Sequence, residues 1–137
     1  MCGIIGYVDK KECSGFLISA LRRLEYRGYD SSGISVFRNK IFEVRKAEGK
    51  LERLEELLEK TPLVGTIGLG HTRWATHGKP NTINAHPHRA GATILVHNGI
   101  IENFEEIREE LLRKKVTIVS ETDSELFGHL VEEELET

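Results

Sequence analysis

The chain has 137 residues, 30% of them charged, with a formal net charge of -3 and a sequence pI near 6.1. This charge balance provides no basic surface for nucleic acid, and no apolar run is long enough to cross a membrane. Its two cysteines, Cys2 and Cys13, are too few for a disulfide framework. The composition therefore predicts a cytoplasmic protein of about one domain.

The first third of the chain predicts a strand, a helix and a hairpin. The apolar run at residues 4–8 predicts a buried strand that starts at or just after Cys2. A set of apolar residues then recurs at helical spacing, with Cys13 as a small packing residue near its start. These are Phe16, Leu17, Ala20, Leu21 and Leu24. Residues 34–37 and 41–44 follow as a predicted hairpin that turns at residues 38–40.

The middle of the chain predicts a second helix and two further strands. Leucines at positions 51, 54, 57 and 58 indicate an amphipathic helix that ends before Pro62. Residues 67–74 alternate large and small side chains as a strand does. After a loop that contains Gly78, Pro80 and Pro87, residues 93–97 predict a strand that ends at Asn98-Gly99, a strong turn signal.

The last third predicts two helices with a short strand between them. A helix is expected to begin near Asn103, with Glu106 completing a capping-box arrangement, and residues 116–119 predict the strand. Thr122 is the expected N-cap of the final helix, with Glu125 at the third position and Asp123 in the first turn. Strands in runs, with hairpin signals and helices between them, favour an α+β fold over a doubly wound parallel sheet.

The pair Met1-Cys2 suggests a specific chemistry. Removal of Met1 would leave Cys2 with a thiol and a free α-amine, so that one residue could supply nucleophile and base together. On position alone, an incidental small residue after the initiator methionine is the commoner case. The other motifs must therefore decide between the two interpretations.

Six motifs spread over nearly the whole chain favour the catalytic interpretation of Cys2. They are CGIIG at residues 2–6, RLEYRGYDS at 23–31, HTRWATHG at 71–78, NAHPH at 84–88, HNGIIEN at 97–103 and SETD at 120–123. Together and in this order they resemble the glutaminase domain of the glucosamine-6-phosphate synthases, a family of class II amidotransferases. The resemblance implies an N-terminal-nucleophile hydrolase fold, an αββα sandwich of antiparallel sheets.

The same resemblance implies the reaction and the domain organisation. L-glutamine would be hydrolysed to glutamate and ammonia, and the complete enzyme would use that ammonia to convert fructose 6-phosphate to glucosamine 6-phosphate. Residues 1–137 would form the N-terminal part of a glutaminase domain, truncated and without the sugar-phosphate isomerase domain. L-glutamine and that isomerase domain are the expected partners, and the full-length enzyme is expected to be a homodimer.

Site residues follow from the resemblance position by position. Cys2 would be the nucleophile, and the Asn98 side chain with the Gly99 backbone N–H would bind the oxyanion. Arg73 would bind the α-carboxylate of glutamine and Asp123 its α-ammonium. Three further residues would line or close the glutamine site: Trp74, Thr76 and His77. Arg27 and Tyr29 would support the nucleophile's end of the domain.

Three alternatives stay open at this stage. His86-Pro87-His88 could bind a metal, but no third ligand has diagnostic spacing, so neither a metal nor a cofactor is predicted. Trp74 could be a core tryptophan at a strand end. Finally, because the family's domain continues beyond residue 137, the chain could be an inactive fragment or a non-catalytic binding module of the same fold.

Overall fold

The computed structural model describes residues 1–75 and 78–136. In this part of the chain the strands are β1 Gly3–Val8, β2 Ser31–Arg38, β3 Ile41–Glu48, β4 Ile67–Arg73, β5 His88–Ala90 and β6 Thr93–Leu95. The helices are α1 Ser14–Arg22, α2 Leu51–Lys60, α3 Phe104–Arg113 and α4 Asp123–Glu136, with a short 3-10 helix at Glu25–Arg27. None of the described helices is both long and apolar enough to cross a membrane.

The strands form two antiparallel sheets. The larger sheet has the order β1-β4-β2-β3, and β5 pairs with β6 in the smaller one. In the larger sheet β4 is central, with Gly3 opposite Thr72 on one side and Ser32 opposite Thr72 on the other. The hairpin of β2 and β3 turns at Asn39 and Lys40, both at positive φ, where the sequence predicted a turn.

Four layers result from the packing of helices on the outer faces of these sheets. Helices α1 and α2 pack on one face of the larger sheet, whereas α4 packs on β5 and β6 and contacts α3. The segment leading into β5 lies against the opposite face of the larger sheet. A Cβ atom on Gly33 would lie only 2.1 Å from the carbonyl oxygen of His86, so glycine permits this close approach. The arrangement confirms the predicted α+β fold with antiparallel sheets.

An apolar core fills the space between the larger sheet and its helices. Its fully buried members include Leu17, Leu21, Ile34, Leu51 and Leu54. Cys13 is also fully buried here, which confirms its predicted packing role. Phe16 was predicted on the same helix face but is 52% exposed, with its ring 4.7 Å from that of Tyr7.

Several predicted elements are wrong in detail. Residues 116–119 form no strand, because the backbone N–H groups of Val119 and Ser120 donate instead to the carboxylate of Glu125. Asn103 precedes α3 without a side-chain capping hydrogen bond, so the predicted capping box is absent. The strand predicted at residues 93–97 ends at Leu95, and its partner β5 lies in what the sequence predicted as loop.

Candidate active site

The nucleophile candidate lies immediately before β1, beside the end of β4. The pairing of these strands places Cys2 next to Trp74, whose backbone N–H donates to Cys2 Sγ at 3.2 Å. Cys2 is partly exposed. This partly exposed residue is therefore held at the start of β1 by a hydrogen bond from the residue that follows β4.

Met1 is held just outside this position. Its α-ammonium donates to the carbonyl oxygens of Arg27 at 2.9 Å and Gly28 at 3.2 Å. The Arg27 backbone thus contacts Met1, the residue before Cys2. This contact lies at the end of the domain where the sequence predicted a supporting role for Arg27. Tyr29 instead supports α2: its hydroxyl accepts from the N–H of Leu51 at 2.6 Å.

A cavity of about 510 Å³ opens beside Cys2. That volume suits a small-molecule ligand. Six of the eight predicted site residues line it: Cys2, Arg73, Trp74, Asn98, Gly99 and Asp123. Thr76 and His77, the other two, lie outside the described residues, and their roles stay predictions.

Arg73 and Asp123 supply opposite charges to the cavity from different elements. Arg73 is the last residue of β4 and Asp123 the first of α4, and each is 3% exposed. The guanidinium of Arg73 makes long hydrogen bonds of 3.4–3.5 Å to the carbonyl oxygens of Lys79 and Gly78. Asp123 Oδ2 accepts the N–H of Ile101 at 2.8 Å. A ligand with both a carboxylate and an ammonium fits this pair of charges.

Asn98 and Gly99 follow β6 in an irregular segment and do not form a hairpin. Asn98 Oδ1 lies 2.7 Å from His71 Nε2. A Cβ on Gly99 would lie 2.8 Å from Nε2 of His97, so a larger residue would displace that ring. Glycine at position 99 therefore lets the backbone pack against the His97 ring at the edge of the cavity.

Trp74 is at the rim of the cavity. It is 55% exposed, which excludes the alternative that it is a core residue. Its main chain is fixed next to Cys2 and is followed by Ala75, whose N–H donates to Asp30 Oδ2 at 2.6 Å. Asp30 thus anchors the backbone that leaves β4, a role that sequence reasoning did not identify.

A second support joins the segment after residue 77 to the start of α4. The Asn84 side chain donates to Glu121 Oε2 and to the carbonyl of Lys79, both at 2.9 Å. The Glu121 N–H donates back to Asn84 Oδ1 at 2.9 Å. These bonds hold the loop beside the residues that lead into Asp123.

The buried histidines contact one another and polar groups of the protein. His71 and His86 stack with ring centroids 4.1 Å apart, and His88 packs edge-on against His86 at 4.4 Å. Burial lowers the pKa of His71 to about 4 and that of His88 to about 3, and it lowers the pKa of His86 as well. All three rings are therefore neutral at pH 7.

The histidine pair that the sequence offered as a metal site has other contacts. His88 Nε2 lies 3.0 Å from Thr122 Oγ1, and the His86 ring stacks on that of His71. Among residues 1–75 and 78–136, no three His, Cys, Asp or Glu side chains are grouped as metal ligands.

Comparison with protein families identifies the chain. Residues 59–135, more than half of it, match the model of the glutamine amidotransferase domain. The chain belongs to this family. The predicted family relationship is therefore confirmed.

Similar proteins carry a more specific name. The chain is 53% identical over 135 residues to the glutamine–fructose-6-phosphate aminotransferase (isomerizing) of Mesorhizobium japonicum, covering 98% of the chain and 22% of that protein. It is 51% identical to the protein of the same name from Thermococcus kodakarensis, covering 98% and 23% respectively. The chain spans about a fifth of the length of these relatives.

The fold also matches that of solved amidotransferases. The glutamine phosphoribosylpyrophosphate amidotransferase of B. subtilis, solved with ADP and GMP, superposes with a TM-score of 0.80 at 22% identity. The match covers 96% of this chain and 29% of that one. The predicted N-terminal-nucleophile amidotransferase fold is thereby confirmed.

Proposed function

We propose that this chain hydrolyses the side-chain amide of L-glutamine to glutamate and ammonia, with Cys2 as nucleophile after removal of Met1. The observation that carries the proposal is the shared cavity. An accessible thiol, an arginine, an aspartate and the Asn98-Gly99 pair all line it, although they come from different parts of the chain. Membership of the amidotransferase family supports the same reaction.

Substrate binding follows from the charges at the cavity. Free glutamine carries an α-carboxylate and an α-ammonium, and these match Arg73 and Asp123 respectively. Because each of these residues is only 3% exposed, water competes poorly for them. Trp74, Thr76 and His77 would line or close the site around the bound amino acid.

The reaction proceeds through a thioester. The α-amine of Cys2 takes the thiol proton as Sγ attacks the amide carbon, giving a tetrahedral oxyanion bound by the Asn98 side chain and the Gly99 N–H. The carbon–nitrogen bond breaks, and the α-amine returns the proton to the departing ammonia. Water then attacks the thioester carbon, the sulfur–carbon bond breaks, and glutamate leaves with Cys2 restored.

Glutamate release by the Met1-free chain tests this function. Mass spectrometry first establishes that Met1 is absent, after which glutamate and ammonia are measured during incubation with glutamine. The control is a chain with an uncleaved N-terminal tag, in which the Cys2 nitrogen remains an amide. We expect equal amounts of both products from the mature chain and none from the control. No release from the mature chain, or equal release from both, would contradict the proposal.

A non-catalytic module is the second candidate, and the contacts of Met1 favour it. The Met1 ammonium donates to two carbonyl oxygens, so the unprocessed chain has a well-bound first residue and no free amine on Cys2. Such a chain would bind glutamine through Arg73 and Asp123 without turnover. Calorimetry that detects glutamine binding by the chain that retains Met1, together with no glutamate release by that chain or by the mature chain, would favour this candidate.

The destination of the ammonia follows from the names of the relatives. We propose that a longer protein containing this chain passes ammonia to a sugar-phosphate isomerase domain, with residues 1–137 as the N-terminal part of its glutaminase domain. Such a protein should form glucosamine 6-phosphate from fructose 6-phosphate and glutamine, and the absence of amino sugar would contradict the proposal. The homodimer and the cytoplasmic location stay predictions.

A further inference from the structure

We propose that His71 is a positioning residue for the oxyanion site: it donates a hydrogen bond from Nε2 to Asn98 Oδ1 and so directs the amide N–H groups of Asn98 toward the cavity. The proposal rests on the glutaminase function proposed above, in which Asn98 stabilises the oxyanion. It gives a role to a buried group that the reaction itself does not use.

The geometry places the His71 ring, which is held within a sheet, beside the Asn98 amide, which lies in an irregular segment. His71 lies in β4, between β1 and β2, and is fully buried on the same face of the sheet as Arg73. Its ring stacks on His86 with an interplanar angle of 15°. Asn98 lies in an irregular, exposed segment. The 2.7 Å contact with His71 therefore defines which way the Asn98 amide faces.

The tautomer of His71 and the orientation of Asn98 depend on each other. A neutral imidazole carries one N–H, and a side-chain amide has one oxygen acceptor and one NH₂ donor. With the proton on Nε2, the ring donates to Oδ1 and both amide hydrogens are available to the cavity. With the proton on Nδ1, Nε2 becomes an acceptor, and Asn98 would have to turn its NH₂ group toward the ring.

The surroundings favour the first arrangement. Burial lowers the pKa of His71 to about 4, and the hydrogen bond to Asn98 and the His97 backbone oppose this shift only in part. The ring is thus neutral at pH 7. The His97 backbone, which raises the pKa of His71, is a competing partner for the ring, but within the described residues Nδ1 makes no hydrogen bond of ordinary geometry to it or to any other group. A buried donor without an acceptor is costly, so the proton is better placed on Nε2, which has Asn98 Oδ1 as its acceptor.

Two substitutions of His71 distinguish its hydrogen-bond donation to Asn98 from the packing of its ring. In His71→Gln the longer amide can place a donor near the position of Nε2, whereas in His71→Asn it ends near the position of Nδ1 and leaves Asn98 without its donor. Mature chains of both variants are compared with the wild type by glutamate release, or by their rate of labelling with 6-diazo-5-oxo-norleucine. Thermal unfolding shows which variants keep the fold.

We expect His71→Asn to lower the maximal rate about tenfold to 100-fold, because misplacement of a catalytic group by about 1 Å can cost that much. The concentration of glutamine at half-maximal rate should change little, since Arg73 and Asp123 bind the amino acid. His71→Gln should stay within about threefold of the wild type in maximal rate. Equal rates in all three chains, or an equal loss in both folded variants, would overturn the proposal.

A measurement that needs no activity separates this inference from the proposed function. Long-range proton–nitrogen NMR spectra of the wild-type chain at pH 7 report which imidazole nitrogen of His71 carries the proton. A proton on Nε2 is expected, and a proton on Nδ1 would overturn the inference. If the wild type released no glutamate, the proposed function would fail, while this spectrum would still decide whether His71 donates its Nε2 proton to Asn98.

Discussion

The two faces of β4 contact very different surroundings. On the face toward α1, Gly68 and Gly70 are so close to the helix that a Cβ atom on either would lie within 3.2 Å of a leucine side chain. On the opposite face, His71 and Arg73 are buried among polar groups and reach the candidate site. One strand thus stabilises the fold with one set of alternate residues and builds the site with the other.

The two faces of β4 should therefore respond differently to substitution. Substitutions on the helix-facing side should change the free energy of unfolding at every pH. Those on the opposite side should change binding and rate and, through the buried histidines, the pH dependence of the free energy of unfolding. Four predictions test that separation, from the largest expected effect to the smallest.

Replacing the nucleophile should abolish chemistry without affecting the core. Cys2→Ser should lower labelling and glutamate release on the order of 10³-fold or more, because a serine hydroxyl is a far weaker nucleophile than a thiol. The other cysteine is the control: Cys13→Ala should keep the labelling rate while lowering stability. Labelling that disappears in the Cys13 variant but persists in Cys2→Ser would mean that Cys13, and not Cys2, is the nucleophile.

Removing a core side chain should lower stability and leave the chemistry of the site unaffected. Leu21 is fully buried beneath β4, and Leu21→Ala should lower the free energy of unfolding by about 2–5 kcal/mol, measured by urea denaturation. Leu112, 55% exposed on α3, is the matched control, and Leu112→Ala should cost less than about 0.5 kcal/mol. Equal costs at the two positions would mean that the core between α1 and the sheet does not carry the stability.

The histidine-bearing face should make stability depend on pH. An unfolded histidine takes up its proton near pH 6.5, whereas burial lowers the folded-state pKa of His71 to about 4 and of His88 to about 3. Between these values the unfolded chain binds more protons, so stability falls as pH falls. The expected slope is up to about 1.4 kcal/mol per pH unit for each such histidine.

Urea denaturation between pH 7.5 and pH 5 measures this slope. The control is His88→Gln, which removes one titrating group and should flatten the dependence by that group's share. Wild-type stability that does not change over this pH interval would show that these rings are not held neutral by the fold.

Neutralising the aspartate should weaken substrate binding. Asp123→Asn keeps the size of the side chain but removes the charge that would pair with the α-ammonium of glutamine. Loss of a charged hydrogen-bond partner should raise the glutamine concentration at half-maximal rate about 10- to 100-fold, with a smaller change in maximal rate. Glu105→Gln, at an exposed position in α3, is the control for charge alone. Equal effects in the two variants would exclude a specific role for Asp123.

Sequence reasoning worked best where local chemistry and burial agree. The turn at Asn39 and Lys40, both helices with regularly spaced leucines and the alternating strand β4 were all predicted, because each carries its own pattern. The spatial convergence of Cys2, Arg73, Asn98 and Asp123 came from the family resemblance, since positions so far apart in the chain carry no local signal of contact.

The errors have identifiable physical causes. Residues 116–119 have a strand-like composition, but in the fold the carboxylate of Glu125 takes the N–H groups at 119 and 120, a contact invisible in the sequence. The strand β5 was missed because His88-Arg89-Ala90 is short and polar. The position of His71 could have been recognised from the sequence. It lies two residues before Arg73, and therefore on the same face of the predicted strand, and it is a polar residue in a strand that is predicted to be buried.

Intact mass, before and after incubation with 6-diazo-5-oxo-norleucine, tests the central claim most directly. The account predicts a chain that lacks Met1 and gains a single adduct on Cys2, with glutamine slowing the reaction. A mature chain that gains no adduct, or an adduct that glutamine does not protect against, would contradict a glutaminase site in this cavity.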